Sequence, residues 1–554
     1  MKLKTEYLQT DVLVLGGGLA GYRAALEARA MGAEVTIAYR ARGASPFVIG
    51  FNAPLGHADN RDTPEVFFDD MIRGGYGLND KRLAHVLAYE SSDAYHSLSE
   101  MGVPFAREKE NAKKGSARAL QRHLSGNTYP RSVYVKEGTG RAILEALICK
   151  SHQENVHSIA GHKVLKLLRH GNKVIGAILW KPQAADSLLV VGARSVVVAM
   201  GGIGQLYADS TYPVDVAADA FGLVYDAGAC LLDMEFVQFE PVVTVWPEAC
   251  RGMEMPTAML GDGAQLRNAK GERFMMHCNP PLGERGIEKA KMSLFIQREL
   301  DEGRGFPEGG VLFDTTVLSA EARNSYVSHC KRLRAAGVDP AVQAPIVAPA
   351  AHSTMGGALI DENGWSGVPG LYVAGESAGG VHGASRIAGN GCTDTLVFGV
   401  VAGRGAVNGM HERKAGEILE AANEAITSLV ATRGNDDAIA HNAKEVIQNL
   451  ISQSAGIWRA DASLKTGLDG LDTLDSQLRA ASTSSTAEVV KLIEAKHMAT
   501  TARMILTAAL LRTESRGAHQ RTDFPLLDDD NWLRHIGFRK SDDGSMHNET
   551  IPIR

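Results

Sequence analysis

The feature that most constrains the fold is a strand, a glycine-rich turn and a helix close to the N-terminus. The apolar run at residues 11–15 predicts a strand, and the sequence GGGLAG at residues 16–21 follows it directly. A helical pattern covers about residues 22–31, and residues 35–39 predict a second strand. Because this GxGxxG pattern lies between a strand and a helix, it indicates a dinucleotide-binding βαβ unit rather than an ordinary turn.

Each glycine of this motif has its own physical role. Gly16 permits the tight turn, Gly18 lets backbone N–H groups approach a pyrophosphate, and Gly21 allows close packing of the helix. At the end of the second strand, an acidic residue usually binds a ribose hydroxyl. Tyr39 and Arg40 stand there instead, so the contact with the adenosine ribose stays open.

Two later segments repeat the combination of strand and glycine turn. Residues 194–200 predict a strand that ends in glycines at 201–204, and residues 370–375 predict another, with Glu376 beside its last glycine. Three such elements suit a large dinucleotide that lies extended across a sheet, and independent βα units are the simpler alternative. The 59 glycines among 554 residues agree with a backbone that approaches a ligand repeatedly.

The sequence changes character along the chain in a way that predicts an α/β protein with an insertion. Residues 241–344 form a candidate capping domain inside a discontinuous nucleotide-binding domain of residues 1–240 and 345–408. Residues 409–512 have apolar side chains at helical spacing and predict a helical bundle. Residues 513–554 form a C-terminal region, and its arginines and acids are expected to form ion pairs that dock the helical domain.

Composition excludes several classes of protein. The net charge of −6 does not mark a nucleic-acid-binding protein. The 6 cysteines contain no CxxC pair, so neither an iron–sulfur cluster nor a zinc site is expected, and we predict no metal ligands. The N-terminus has no signal-peptide pattern, and no apolar stretch reaches about 18 residues. These features predict a cytoplasmic protein with reduced thiols.

Several ordered motifs together resemble a known family. They are Ala-Met-Gly-Gly at 199–202, GERF at 271–274, AHSTMGG at 351–357, the run GLYVAGESAGGVHGASRIAGNGCTDTLVFG at 370–399 and TESRGAH at 513–519. With the first glycine motif, they resemble the flavoprotein subunits of fumarate reductase and succinate dehydrogenase, and L-aspartate oxidase. The resemblance implies a Rossmann-like FAD-binding domain interrupted by a capping domain and followed by a helical bundle.

The resemblance also implies which residues bind FAD. Family members with covalent flavin carry a histidine in a short motif after the second strand, and residues 42–47 contain none. Noncovalent FAD is therefore expected. The implied cofactor-binding residues are Gly16, Gly18, Gly21, Tyr39, Arg40, Ser45, Gly201, Gly202, Glu376, Asn390 and Thr393.

Half of the family's dicarboxylate site has a counterpart in this sequence. His352 matches the family histidine before Met-Gly-Gly, and Arg386 matches a carboxylate-binding arginine. An arginine fork binds a carboxylate in a bidentate manner, and a histidine adds a donor. The resemblance therefore implies an anion clamp made of His352 and Arg386.

The other half of that site differs from the family. Glu240 replaces a substrate-binding histidine, Thr257 replaces a glutamate and Leu260 an arginine, and Leu294 occupies the position counted for the proton-shuttle arginine. These changes disfavour a second substrate carboxylate, because an unpaired buried charge costs several kcal/mol. We expect the other end of the substrate to be neutral, apolar or cationic.

Two alternatives stay open for the acid–base chemistry. Glu240 is a candidate general base, because burial would raise its pKa; equally, it could be a structural carboxylate paired with Arg251, Arg267 or another base. Lys289 and Lys291 could replace the missing arginine as acid, although the sequence favours a solvated helix face for both.

The leading hypothesis is an FAD-dependent dehydrogenase or reductase that acts on a CH–CH bond of a small carboxylate or oxyanion. The alternatives are a flavoprotein subunit like that of adenylylsulfate reductase, acting on a sulfur oxyanion, and an electron-transfer subunit with a vestigial substrate site. Without cluster ligands in this chain, its electron partner would be a separate iron–sulfur subunit, a quinone, a soluble carrier or oxygen.

Overall fold

A computed structural model describes residues 3–108, 118–412, 414–431, 434 and 437–554. Its strands, in chain order, are β1 (Lys4–Leu15), β2 (Val35–Tyr39), β3 (Phe51–Asn52), β4 (Gln121–Arg122), β5 (Ser132–Val133), β6 (His157–Ala160), β7 (Lys163–His170), β8 (Lys173–Trp180), β9 (Ser187–Val198), β10 (Leu231–Leu232), β11 (Val237–Trp246), β12 (Gln265–Arg267), β13 (Val311–Asp314), β14 (Ile346–Thr354), β15 (Gly357–Ala358), β16 (Leu371–Val373), β17 (Arg534–Lys540) and β18 (Met546–Pro552).

Helices connect these strands and make up most of residues 390–511. In chain order they are α1 (Leu19–Ala30), α2 (Pro64–Gly74), α3 (Lys81–Glu100), α4 (Thr139–Gln153), α5 (Asp219–Asp226), α6 (Ala258–Gly261), α7 (Met275–Cys278), α8 (Lys289–Asp301), α9 (Ala320–Asn324), α10 (Val327–Ala335), α11 (Asn390–Asn408), α12 (Ala415–Ala431), α13 (Ala438–Ser454), α14 (Asp461–Ala480), α15 (Thr486–Leu511) and α16 (Asp529–Trp532). None of those in the described part of the chain is both long and apolar enough to cross a bilayer.

The central sheet is the Rossmann-like core. Its strands lie in the order β6-β2-β1-β9-β8-β7, and β16 pairs with β9. β1 runs parallel to both β2 and β9, and the apolar residues of β2 are all buried. Sheets of parallel strands are normally covered on both faces. Helices α1 and α11, which pack against each other, cover one face of this sheet. The carboxyl ends of β1, β9 and β16 therefore meet at one edge, as the three glycine turns predict.

Close backbone contacts require glycine at two positions of the turn after β1. Gly16 has a φ of +126°, and a Cβ atom there would lie 2.0 Å from the Ala199 carbonyl oxygen. A Cβ atom on Gly21 would lie 2.0 Å from the carbonyl oxygen of Gly16. The helix begins at Leu19, within the glycine motif and earlier than the pattern from about residue 22 suggests. Its N-terminus thus lies directly at the turn.

The capping region has its own sheet and its own core. The sheet has the order β11-β14-β13-β12, and a separate cluster of buried apolar residues packs around it and α8. β11 spans Val237–Trp246 and so crosses the boundary drawn at 240 from the sequence, whereas β14 (Ile346–Thr354) begins just after the boundary at 345. They connect the cap to the nucleotide-binding core, and each carries a candidate site residue.

The C-terminal region is joined to the rest of the molecule by a buried ionic network. The Arg512 guanidinium lies 2.6 Å from Glu235 and 3.1 Å from Glu514, and all three side chains are fully buried. Arg516 contacts Glu514 at 2.7 Å. Strand β17 also pairs with β10. Arg512 directly follows α15, the last helix of the bundle, so its contact with Glu514 is an ion pair between the helical domain and this region, as predicted.

Candidate active site

A single cavity of about 1900 Å³ runs from the glycine turn to the strands of the cap. Sequence-predicted residues line both of its ends. At one end are Gly16, Gly18, Tyr39, Arg40, Ser45 and Gly201, and towards the other are Glu376, His352, Arg386 and Thr257. The fold therefore places these ten predicted cofactor and substrate residues around one continuous space.

The nucleotide end of the cavity is shaped by close backbone packing. A Cβ atom on Gly18 would lie 2.7 Å from the Ser45 hydroxyl oxygen, and that oxygen accepts a hydrogen bond from the Leu19 N–H at 3.0 Å. Gly18 is the N-cap of α1 and has no side chain to cap the helix. A helix N-terminus whose N-cap residue is a glycine suits a pyrophosphate, so the residues present fit a dinucleotide such as FAD.

Arg42 is a cavity residue that the sequence analysis missed. Its guanidinium lies 4.3 Å from the centre of the Tyr39 ring and 5.2 Å from that of Tyr22, and it donates to the Tyr22 hydroxyl at 2.6 Å. Arg40 is exposed and lies 3.7 Å from Glu494. The sequence does show Arg42 two residues after Arg40 and shortly after β2. Because arginine pairs well with aromatic faces and phosphates, its presence there could have indicated a cavity residue.

Glu376 faces the cavity and is fixed by hydrogen bonds. It accepts from the hydroxyl of Tyr212, from the Thr354 N–H at 2.9 Å and from the Ser353 hydroxyl at 3.2 Å. Burial raises the pKa of its carboxyl. A Cβ atom on Gly202 would lie 2.5 Å from the Glu376 carboxyl carbon, so Gly202 makes room for Glu376 and does not line the cavity itself.

The structure places Asn390 and Thr393, two of the predicted cofactor-binding residues, behind the cavity wall. Both are buried and neither lines the cavity. Asn390 accepts from the Asn52 side-chain amide at 2.7 Å, and Thr393 accepts from the Asn52 N–H at 2.8 Å. The two residues anchor β3 to the start of α11, while their neighbours Gly391 and Cys392 form the cavity wall.

His352 and Arg386 lie at the cap end of the cavity. Arg386 donates to the Gln238 side-chain oxygen at 3.2 Å, whereas its buried Nε has no hydrogen-bond partner among the described residues. His352 Nδ1 lies 3.0 Å from the Thr211 hydroxyl, and burial lowers the pKa of His352 to about 4. This end therefore offers a neutral imidazole and a guanidinium with donor capacity to spare, as the anion clamp requires.

Glu240 does not reach the cavity. Its side chain is fully buried behind Lys289, whose ammonium lies 2.6 Å from one Glu240 oxygen and 3.5 Å from Glu254. Burial, and after it the Glu254 carboxylate, raises the pKa of Glu240 to about 7 against the opposing effect of Lys289. Arg251 and Arg267 pair with other carboxylates, so the base that pairs with Glu240 is Lys289.

The expectation of a solvated helix face is wrong for Lys289 and right for Lys291. Lys289 is the first residue of α8 and lines the cavity, while Lys291 is exposed. Leu294, predicted to face the substrate, is half-buried on the same helix and is not part of the cavity wall. Thr257 does line the cavity, and Leu260 is buried in the core of the cap.

The carboxylates around Lys289 are close enough to share a cation. Ligand atoms of Glu240, Glu254 and His352 lie within 4.8 Å of one another. The Lys289 ammonium already sits between the two carboxylates and supplies their counter-charge. The arrangement is thus that of a buried ion-pair cluster with exchangeable protons at the cavity wall.

Comparison with known proteins identifies the family. Residues 11–392 match the model of the FAD binding domain family, and residues 444–554 match that of the fumarate reductase flavoprotein C-terminal domain. The chain belongs to the fumarate reductase and succinate dehydrogenase flavoprotein family. It is an FAD-dependent oxidoreductase, and the resemblance drawn from its motifs is confirmed.

Similar proteins cover almost the whole chain. A fumarate reductase (CoM/CoB) subunit from Methanothermobacter marburgensis is 32% identical, with 94% of this chain and 96% of that protein aligned. L-aspartate oxidase from Streptomyces coelicolor is 31% identical, with coverages of 97% and 93%. The solved structure of Mycobacterium smegmatis Sdh1 in complex with UQ1 has a TM-score of 0.89 at 30% identity, covering 99% of this chain and 95% of that one.

Adenylylsulfate reductase shares the fold only. The structure from Archaeoglobus fulgidus has a TM-score of 0.77 at 19% identity, covering 99% of this chain and 96% of that one. One fold supports several reactions, so this likeness does not favour a sulfur oxyanion as substrate.

Proposed function

We propose that this protein transfers two electrons between noncovalently bound FAD and a small substrate with a single carboxylate or oxyanion. The observation that carries the proposal is the unpartnered Nε of Arg386, next to neutral His352 at the cap end of the cavity. An unsatisfied buried guanidinium donor is costly in a folded protein. A bound anion would satisfy it.

The charges around the substrate end favour one negative group over two. Arg386 and Lys289 are cations, and His352 is neutral at pH 7. Burial raises the pKa of Glu254, but Lys289 and other nearby groups outweigh burial and lower that pKa overall, so Glu254 is a carboxylate. With Glu240 protonated one positive charge is left, and with Glu240 ionised none is left, so the site offers counter-charge for at most one substrate carboxylate. A second carboxylate would lie uncompensated near Glu254, at a cost of several kcal/mol.

Each group at the site has a separate part in the proposed reaction. Arg386 and His352 bind and orient the anion, and Thr257 closes the cap side of the cavity. Lys289 holds exchangeable protons at the wall, Glu254 is a carboxylate beside it that can accept one, and Glu240 lies behind Lys289 and does not contact the substrate. Bound FAD supplies the redox chemistry, a hydride accepted or donated at N5. FAD would be held by Gly16, Gly18, Ser45 and Glu376.

Noncovalent binding is proposed because residues 42–47 offer no histidine for a flavin link. The electron partner is a further proposal. The similar protein from M. marburgensis is named as one subunit of its enzyme, and this chain carries 6 free cysteines without a CxxC pair. A separate iron–sulfur subunit, a quinone or a soluble carrier would therefore supply or remove the electrons.

The experiment that tests the proposed function is anaerobic photoreduction of the FAD-loaded protein, followed by reoxidation with a panel of acceptors. The panel contains crotonate, fumarate, adenylylsulfate, a quinone and oxygen. We expect crotonate, which has one carboxylate, to reoxidise the flavin faster than fumarate. Fast reoxidation by adenylylsulfate alone would favour the sulfur-oxyanion alternative, and reoxidation by quinone or oxygen alone would favour a vestigial substrate site. Acid precipitation should release the flavin into the supernatant, and a yellow pellet would contradict noncovalent binding.

A further inference from the structure

We infer that Lys163 recognises the adenosine half of FAD and that the helical bundle holds this lysine in position. The sequence left the adenosine contact open, because Tyr39 and Arg40 stand where a dinucleotide-binding unit usually has a ribose-binding acid. The inference rests on the noncovalent FAD binding proposed above. It does not depend on the identity of the substrate.

Lys163 lies at the nucleotide end of the cavity, at the first position of β7. The residue before it, His162, donates a backbone hydrogen bond to the Tyr39 carbonyl oxygen at 3.0 Å, which joins the start of β7 to the end of β2. Tyr39, His162 and Lys163 all line the cavity. In a dinucleotide-binding unit the end of the second strand borders the adenosine ribose. Lys163 therefore stands beside the space for the adenosine half.

Two carboxylates hold the Lys163 ammonium. It lies 3.1 Å from Asp219, the first residue of α5, and it also contacts Glu494 of α15. Burial raises the pKa of Asp219, but Lys163 and then His497 outweigh burial and lower that pKa to about 2. Asp219 is therefore a carboxylate at neutral pH, and the positive charge of Lys163 is balanced within the protein.

The ammonium has one more donor than these two partners use. A lysine ammonium carries three N–H bonds, and within the described part of the chain it contacts only Asp219 and Glu494. The Lys163 side chain is 5% exposed, and a buried donor without an acceptor is costly. The ring nitrogens and hydroxyl oxygens of adenosine are uncharged acceptors. They suit this third donor, because its charge is already balanced.

One partner of Lys163 comes from the helical domain. Glu494 lies on α15 and also approaches Arg40 at 3.7 Å, but it is not part of the cavity wall. It is therefore a positioning residue, which acts through Lys163. The same helix carries His497, whose Nδ1 lies 3.3 Å from Asp219. The helical bundle thus supports the adenosine end of the cavity from outside the nucleotide-binding domain.

The test measures the binding of FAD, FMN and ADP to the full chain freed of flavin. FMN lacks the adenosine half, and ADP lacks the flavin. We expect Lys163→Met to weaken FAD and ADP binding by similar factors, roughly 10- to 100-fold, as for the loss of a hydrogen bond from a charged donor. FMN binding should not change. Lys166→Met, at an exposed position of the same strand, is the matched control and should leave all three affinities unchanged.

Two results would overturn the assignment. Unchanged FAD binding in Lys163→Met would show that the lysine makes no contact with the cofactor, and equal weakening of FAD and FMN would show general damage to the cavity. Lys163→Arg guards against loss of folding, because it keeps a positive charge between Asp219 and Glu494. We expect a smaller loss there, again confined to FAD and ADP. The assay contains no substrate, so an error in the proposed substrate does not alter its outcome.

A double-mutant cycle tests the role of the helical bundle. We expect Glu494→Gln to weaken FAD binding by a smaller factor than Lys163→Met does. The double variant should bind FAD as Lys163→Met does, because residues in contact do not contribute additively. Glu488→Gln, on the same helix but paired with Lys491 at 3.0 Å, is the control. A further loss in the double variant, or weaker FMN binding in Glu494→Gln, would refute the positioning role.

Discussion

Replacement of Arg386 by glutamine is expected to lower kcat/KM for crotonate by about 100-fold or more. Truncating one partner of a buried, hydrogen-bonded charge pair costs about 2–5 kcal/mol. Gln238 would lose its 3.2 Å contact with the guanidinium, and the substrate carboxylate would face His352 alone. Steady-state kinetics with the flavin reduced by dithionite would measure the loss.

The matched control is Arg251→Gln. Arg251 also lines the cavity, but its guanidinium already pairs with Asp209 at 3.3 Å and with Glu248 at 3.0 Å, and its side chain is 44% exposed. Its replacement should leave kcat/KM within a few-fold of the unmodified protein, because exposed ion pairs contribute only about 0–1 kcal/mol. Equal losses in the two variants would show that cavity charge in general, and not the clamp, governs binding.

Replacement of Arg512 by methionine is expected to lower the free energy of unfolding by about 3–5 kcal/mol, because it leaves buried carboxylates without their counter-charge. Glu235 and Glu514 are both 0% exposed and both contact this guanidinium. Burial raises the pKa of Glu235 and Arg512 opposes that shift. The loss should therefore be smaller at low pH, where the stranded carboxylates can take up protons.

Arg503→Met provides the comparison for that variant. Arg503 also contacts two carboxylates, Asp472 and Asp475, each at 2.7 Å, but Asp472 is 67% exposed. We expect a loss of about 0–1 kcal/mol there. Chemical denaturation of both variants, followed by circular dichroism, measures the difference. Similar stabilities for Arg512→Met and Arg503→Met would contradict a structural role for the buried network.

The cofactor end of the cavity could be predicted from the sequence because the backbone geometry strongly limits which residue types fit there. Gly16 and Gly18 stand where any Cβ atom would clash with a neighbouring carbonyl or hydroxyl group, so glycine itself is the signal. Asn390 and Thr393 show the limit of that approach. The predicted segment does reach the cavity, but at the first turn of a helix neighbouring residues point in different directions, and these two face Asn52.

Which residues line the substrate end of the cavity depends on tertiary contacts that sequence motifs do not encode. Leu294 lies five residues after Lys289, which places it about 140° around the helix axis, so spacing along the chain did not show which of the two side chains lines the cavity. Gln238 lines the cavity and Glu240 does not, although strand alternation puts both on one face. The pairing of β11 with β14 shifts register at Gln238/Phe239 and again after Glu240, and such irregularities redirect side chains.

The most direct test of the single anion clamp compares the affinities of two ligands that differ in one group. Crotonate and fumarate share a four-carbon skeleton, with a methyl group in one where the other has a second carboxylate. Titration of the oxidised, FAD-loaded protein, followed by the change in flavin absorbance, gives both dissociation constants. The charges at Arg386, Lys289 and Glu254 predict tighter binding of crotonate, and loss of that binding in Arg386→Gln. Tighter binding of fumarate would contradict the account.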